Sequence, residues 1–392
     1  MEGISVDDVI KGLEDVNIKW TRLTSVDGEK GILRYVGYDI EEIVDKRASA
    51  EEIQYLFLNG ELPTGEELER FKEKLEEGYD LPDYVIDSIT GMPRSSDVVG
   101  LQMQGMSSLA ATSHLGWNAE SNRDLAAKVI GQMAAITSVS IRHVLGKKPE
   151  LPWRSDGFSK SFLRAVFDKE PTEKQAWAIN TVNVLYMDHE VPASTTAGLV
   201  AVSTLADLYS GVVAALAAFK GPMHGGAVDQ VVRQLIDIGD PENVEEWFNK
   251  NVVLEKKKLM GFGHRVYKTY DPRARILRSV ADSVALTGDS ARLLQVAKAL
   301  EKLGISTMGT RGIYPNADFY SGLVYMGIGF PPSNGIYPAL FAVSRVTGWI
   351  AHFIEYVENQ HRLIRPRAVY VGPGERKFPA LAERHLIIGG NY

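Results

Sequence analysis

The chain runs to 392 residues with 45% apolar side chains, enough to bury a large core and to accommodate two domains. A net charge of −7, dispersed rather than blocked, excludes a basic stripe for nucleic acid and a polybasic patch for membranes, and leaves small-molecule chemistry as the expectation. With no cysteine there is no disulfide framework, no thiolate ligand for zinc and no enzyme thiol to carry an acyl group.

In chain order, the acidic start Met1-Glu2-Gly3-Ile4-Ser5-Val6-Asp7-Asp8 lacks the basic and apolar regions of a signal peptide and the Arg bias of a transit peptide, which predicts a cytoplasmic protein. The clearest strands follow at once: alternation from Ile18 to Tyr38, interrupted by the turn signal Val26-Asp27-Gly28-Glu29, predicts a hairpin. Helical punctuation then takes over. Ser49-Ala50-Glu51-Glu52 and Thr64-Gly65-Glu66-Glu67 both fit the capping box, and the second opens a charged amphipathic run that stops at Gly78. Helical patterns continue over 83–91, 96–112, 123–145, 158–168, 172–187, 194–219, 226–237, 242–256, 273–286, 290–303 and 335–361. The window from Gly198 to Phe219 is apolar enough to raise a membrane span. Asp207, Ser210 and many small residues favour a buried central helix or a subunit interface instead. A short extended piece fits Arg367-Ala368-Val369-Tyr370-Val371. No repeat of fixed period and no linker divides the chain, so any domains share a broad interface.

Four stretches combine chemically useful side chains with turn formers. They are Met187-Asp188-His189-Glu190, Gly221-Pro222-Met223-His224-Gly225-Gly226, the segment from Leu259 to Leu277, and Tyr314-Pro315-Asn316-Ala317-Asp318-Phe319-Tyr320-Ser321-Gly322. In the third, Gly261, Gly263 and Pro272 argue against a plain helix, and Asp271-Pro272-Arg273 reads as a helix start with Asp as N-cap. The loop presents His264 and the helix end presents Arg273. A single histidine is more often a satisfied core or surface residue than a functional one; placement in loops on a helical scaffold shifts the balance.

His224 precedes a helical pattern, so its imidazole is expected at a positive helix end, neutral, and able to donate to an oxygen gaining charge. Asp318 similarly opens an apolar helical run through Val324, where the dipole is expected to keep a carboxylate ionised and able to act as a base; the bland alternative is an ordinary N-cap. Arg273, Arg345 and Arg365 are expected to bind carboxylates, because guanidinium matches them bidentately. Arg345 lies inside an apolar helix and needs either an anionic ligand or an ion pair, with Glu355 among the acids available. Lys256-Lys257-Lys258 could meet phosphates or merely solvate a helix end. No P-loop, dinucleotide fingerprint or H-E-x-x-H occurs, and arginines near His189, His224, His264 and Asp318 would oppose a metal cation.

Together, the DHE, GPMHGG, GFGHRVY and PNADFYSG segments, with Ser25 to Tyr35 before them and Arg365-Pro366 after them, make a pattern that resembles citrate synthase of the short archaeal or Gram-positive type over nearly the whole chain. The resemblance implies an all-α fold with a small N-terminal β-hairpin, in which a large helical domain, 1–225 and 327–392, carries the dimer interface. A smaller mobile domain, 226–326, closes over the substrates, and Gly221, Gly225 and Gly226 fall where a hinge is needed. It implies condensation of acetyl-CoA with oxaloacetate to citrate and CoA, with no metal and no bound cofactor, since the CoA thioester is a substrate. Carried over by position, Asp318 resembles the base, His224 the donor to the thioester oxygen and His264 the acid on the oxaloacetate carbonyl. His189, His264, Arg273 and Arg345 match oxaloacetate-binding positions, and Arg365 matches the arginine donated by the neighbouring subunit of a homodimer. Lys256, Lys258, Leu259, Met260, Gly261, Phe262 and Gly263 match the CoA-binding segment. Neither nucleic acid nor membrane is implied as a partner. The chain opens almost at the hairpin, which argues against the regulation carried by an extra N-terminal domain in NADH-controlled relatives.

Three rivals stand beside this reading. 2-Methylcitrate synthase performs the same chemistry on propionyl-CoA and differs by one methylene. A metal-dependent hydrolase would use the same histidines, and a non-catalytic helical assembly protein would use none of them.

Overall fold

The computed structural model describes residues 9–113, 117, 119–154 and 156–384. By contacts it separates into two units, 21–364 and the two chain ends up to 20 and from 365. The terminal unit holds short 3-10 turns at Lys11–Leu13 and Leu381–Glu383 and no strand pairing over 367–371, so the extended piece expected there does not form a ladder.

The large unit begins with a three-stranded antiparallel sheet in the order β1 (Thr24–Asp27), β2 (Ile32–Tyr35), β3 (Tyr38–Asp39), with Thr24 opposite Tyr35. The hairpin turn lies at residues 28–31, slightly later than the turn signal suggests, and the chain adds the third strand before entering helix. Helices follow: α1 (Ile40–Asp45), α2 (Ala50–Asn59), α3 (Gly65–Glu76), α4 (Asp83–Thr90), α5 (Val98–Thr112), α6 (Ala119–Val144), α7 (Phe158–Phe167) and α8 (Glu173–Tyr186). Both capping boxes form: the Ser49 hydroxyl accepts from Glu52 N at 3.3 Å while Glu52 accepts from Ser49 N at 2.7 Å, and Thr64 and Glu67 do the same.

The pattern over 194–219 is two helices, α9 (Ala193–Val202) and α10 (Leu208–Phe219). Asp207 caps the second by accepting from Ser210 N at 3.1 Å, and Leu205 turns the chain with φ 66°. Gly198 and Gly211 bring the pair together around Phe353, since a Cβ on Gly198 would lie 2.1 Å from that ring. Next come α11 (Ala227–Ile238), α12 (Val244–Phe248), α13 (Pro272–Val284), α14 (Gly288–Met308), α15 (Asp318–Ile328) and α16 (Ile336–Asn359). The pattern over 242–256 resolves into a 3-10 turn at Pro241–Asn243, the short α12 and a π-helix at Asn249–Leu254. Among the described residues no helix is long and apolar enough to cross a membrane.

Every residue of α16 from Ile336 to Ile354 is buried, so this helix has no solvent face and forms the axis of the core. It packs against α2, α5, α6, α8, α9, α10 and α11. Helix α15 is set among α8, α11, α13 and α14. Arg345 on α16 and Asp318 at the head of α15 are therefore carried by buried helices packed on several sides.

Candidate active site

Three loops and three helices converge. The turn after α8 carries Asp188 and His189. Tyr35 donates its hydroxyl to Leu185 O at 3.1 Å and Asp188 O at 3.2 Å, and Thr24 donates to Asp188 Oδ2 at 2.5 Å, so the N-terminal sheet anchors this turn. The Asp188 carboxylate also meets His352 Nε2 at 3.1 Å, both side chains fully enclosed. Burial pushes the Asp188 carboxyl up, but the charges of His352 and Arg345 and these hydrogen bonds outweigh it and hold it below its ordinary range.

His224 lies in the loop between α10 and α11, its ring edge-on to Phe219 at 5.0 Å. Its Nε2 lies 2.8 Å from Ser194 Oγ, which accepts from Trp349 Nε1 at 3.0 Å. Burial, then the Arg345 charge, lowers the His224 pKa to about 4. The neutral ring agrees with the sequence expectation, but its cause differs: burial comes first and Arg345 second, in place of the helix end.

The loop from Leu259 to His264 is laced to the loop before α15. Gly263 N donates to Tyr314 O at 2.8 Å, Asn316 N to Gly261 O at 2.8 Å, and Asn316 Nδ2 to Gly263 O at 2.9 Å. Gly261 and Gly263 have φ of 78° and 83°, a conformation that favours glycine, and a Cβ on Gly261 would lie 2.8 Å from the Phe319 ring. Gln234 on α11 grips the same loop through Met260 N at 2.9 Å. His264 Nδ1 accepts from Val266 N at 3.0 Å and Tyr267 N at 3.2 Å, which leaves the neutral ring's proton on Nε2. Burial, then Arg273, lowers its pKa to about 4.

His189 lies edge-on to His264 with ring centroids 5.0 Å apart. Burial, then Arg273, His264 and Arg345, hold its pKa well below the usual value. Arg273, 4% exposed, is clasped by Asp271, Nε to Oδ1 at 3.1 Å and Nη2 to Oδ2 at 2.8 Å. Asp271 and Pro272 open α13 as the sequence suggests. Burial opposes the Arg273 charge, and Asp271 more than restores it, raising the pKa. Arg345, 2% exposed, donates Nε to Tyr186 O at 2.8 Å and lies 4.8 Å over the Phe341 ring. It makes no ion pair with Glu355, which instead accepts from Arg22 N at 2.8 Å; the negative charge facing Arg345 is Asp188. Burial lowers the Arg345 pKa.

Asp318 is the first residue of α15, with its N–H donated to Asn316 Oδ1 at 3.0 Å. The expectation that the helix end dominates its ionisation is corrected here. Burial comes first and lifts the carboxyl to about 6, although Arg273 and Arg345 pull the other way. It is thus a carboxylate at neutral pH with the proton affinity of a stronger base.

The large unit therefore gathers His189, His224, His264, Arg273, Arg345 and Asp318 with the loop Leu259–Gly263. Lys256 and Lys258 are exposed at the mouth of that loop, while Lys257 pairs with Glu255 at 2.7 Å. Arg365 is exposed in the terminal unit. Ser194, Trp349 and His352 have no place in the sequence reading, and Asp188 and Tyr267 enter it only as members of the DHE and GFGHRVY segments, without a role. Trp349 and His352 do follow Arg345 by one and two helical turns on α16, a spacing that could have flagged them. Among the described residues no three His, Asp or Glu side chains form a group able to hold a metal ion.

The family described as citrate synthase, C-terminal domain, matches residues 12–367. The chain belongs to the citrate synthase family. The citrate synthase of Thermoplasma acidophilum is 56% identical over 380 residues, covering 96% of this chain and 99% of that protein. That of Saccharolobus solfataricus is 51% identical over 378 residues, covering 96% and 99%. Among solved structures, the ternary complex of the Thermoplasma acidophilum citrate synthase with carboxymethyl coenzyme A and oxaloacetate is similar with a TM-score of 0.94, covering 96% of this chain and all of that one at 56% identity. Citrate synthase from Pyrobaculum aerophilum is similar with a TM-score of 0.89 at 37% identity, over 96% of this chain and 95% of that one. For a citrate synthase, a small β-sheet braced against an otherwise helical body is the frame on which the six converging side chains are carried.

Proposed function

We propose that this cluster is where the chain carries out the citrate synthase reaction, the condensation of acetyl-CoA with oxaloacetate and hydrolysis of citryl-CoA to citrate and CoA. The observation that carries the reading is a single carboxylate of raised proton affinity, Asp318, under the charges of Arg273 and Arg345, the same guanidinium groups that act on the imidazoles of His264 and His224, which burial keeps neutral. A thioester methyl is a very weak acid, so its proton moves only if the electrons it leaves behind are received by placed donors in a dry site. Asp318 takes the methyl proton, and the electron pair shifts onto the thioester oxygen. Ser194 accepts from Trp349, so its own proton is free for His224 Nε2; His224 then keeps its hydrogen on Nδ1 and donates it to that oxygen. The enolic carbon attacks the keto carbon of oxaloacetate, His264 gives its Nε2 proton to the carbonyl oxygen, and the proton held by Asp318 replaces the one His264 gave, so that both groups return to their starting states. Water cleaves the resulting citryl thioester, releasing CoA.

Arg273, Arg345 and His189 hold the oxaloacetate carboxylates, and Arg365 comes from the neighbouring subunit of a homodimer. The loop Leu259–Gly263 receives CoA through backbone groups, with Lys256 and Lys258 near its phosphates. The chemistry asks nothing of a metal or bound cofactor, and we place the reaction in the cytoplasm. Residues 226–326 act as a mobile domain that closes on the substrates about the glycines near 221–226. Gly28 O, accepting from Lys268 N at 3.0 Å, is one contact from the rest of the chain to that domain.

The test is Asp318→Asn, following thiol release from acetyl-CoA with oxaloacetate present. A loss of kcat of about 10³-fold or more with the fold intact is expected for removal of the base. Retention of wild-type turnover would refute the assignment, and parallel assays with propionyl-CoA give the acyl preference.

A further inference from the structure

Tyr267 is 1% exposed and lies against both imidazoles of the oxaloacetate side of the site. Its ring is tilted against His264 at 4.8 Å between centroids and edge-on to His189 at 5.4 Å. Its backbone N–H is one of the two that occupy His264 Nδ1, at 3.2 Å. Its hydroxyl lies 3.1 Å from His189 Nε2. One residue thus touches both histidines, and by different groups.

A phenol is a stronger acid than a neutral imidazole N–H, and an imidazole nitrogen is a stronger base than a phenol oxygen. The favoured arrangement of the pair is therefore phenol O–H donating to Nε2. His189 is neutral, held so by burial and by the charges of Arg273 and Arg345. A neutral ring whose Nε2 accepts carries its single proton on Nδ1.

We propose that Tyr267 is a positioning residue acting on both histidines: its amide, together with that of Val266, fixes His264 as the Nε2–H form, and its hydroxyl fixes His189 as the Nδ1–H form. The two rings then present opposite tautomers to the same diacid, one donor for its keto oxygen and one for a carboxylate. Without the hydroxyl, His189 divides between tautomers, and the part of the population with Nδ1 unprotonated sets a lone pair against an anionic ligand. The cost falls on oxaloacetate and leaves acetyl-CoA untouched. The inference rests on the assignment of His189 and His264 to oxaloacetate in the function proposed above.

Tyr267→Phe keeps the ring packing and the backbone donor to His264 and removes only the hydroxyl. Steady-state kinetics on the full-length enzyme should show the KM for oxaloacetate raised about tenfold, the size expected for one lost buried hydrogen bond, with the KM for acetyl-CoA within about twofold of wild type. Nitrogen NMR of ¹⁵N-histidine-labelled protein, with the His189 signals assigned by their loss in His189→Asn, should report Nδ1–H in the wild type and a mixture in Tyr267→Phe. A wild-type His189 protonated on Nε2 overturns the proposal, as does a variant that moves neither the oxaloacetate KM nor the His189 signals. A variant that shifts both KM values and Tm together shows a packing role only and overturns it as well. The tautomer reading needs no turnover, so an inactive preparation or a fully active Asp318→Asn would count against the proposed function without deciding the role of Tyr267.

Discussion

Asp318 stands in the first turn of α15, where a helix end favours a charged carboxylate, yet burial wins and lifts its pKa from 3.8 to about 6. Two consequences have opposite signs. For catalysis the carboxylate must be ionised, so kcat/KM should fall about tenfold per unit as pH drops below about 6, with His224 and His264, at about 4, adding nothing in that window. For stability, a folded pKa above the unfolded one means that the native state binds the proton more tightly. The benefit is complete below 3.8 and is lost as pH rises to about 6, a change of about 3 kcal/mol. Asp318→Asn, uncharged throughout, should therefore melt above wild type at pH 8 and close to it at pH 4; calorimetry that finds no such divergence would remove burial as the source of the basicity. At this scale the sequence exposes His224, His264 and Asp318 because each sits among glycines or prolines that break a helix. It hides Tyr267 and Ser194, whose partners lie 78 and 155 residues away for His189 and Trp349, because tertiary contacts leave no local mark.

The elements are most legible where the side chain that starts a helix also satisfies its backbone. Ser49, Thr64 and Asp271 are recognisable as caps from their immediate neighbours in the chain, and each of them caps its helix. The break between α9 and α10 is not recognisable in this way, because Ser203-Thr204-Leu205-Ala206-Asp207 crosses it without a Gly or Pro between two apolar runs. The interruption rests on Asp207 and on Leu205 in a left-handed turn, neither of which is a Gly or Pro signal. The loop Leu259–His264 shows what the glycines there are for. Gly261 combines a φ of 78° with the Phe319 ring on one side and Val231 on the other, so a methyl group has no room. Gly261→Ala should displace the loop from Asn316 and raise the KM for acetyl-CoA by about tenfold or more, while the KM for oxaloacetate changes by less than about twofold. Equal changes in both constants, measured by steady-state kinetics, would mean that the loop serves the whole site and not the thioester.

For the whole molecule, the helical body and its N-terminal hairpin are readable from periodicity, but the allocation of charge in the site is not. The large unit supplies two enclosed guanidinium groups, Arg273 committed to Asp271 and Arg345 facing Asp188, so both arrive partly neutralised by acids of the same chain. A third cation from elsewhere would complete the charge needed for a diacid, which is the physical case for Arg365 acting in the partner's site and not its own. Sharing of this kind has a consequence that no single-chain site can mimic. Arg365→Ala and Asp318→Asn should each be nearly inactive alone. When the two variants are mixed under conditions that exchange subunits, half of the dimers are mixed, and each of these contains one site with both Asp318 and Arg365 intact. Thiol release should then return to about a quarter of the wild-type rate, the value fixed by two-fold statistics. If the mixture stays as inactive as its parents after exchange is verified by mass, Arg365 serves the site of its own chain and the shared arrangement is wrong.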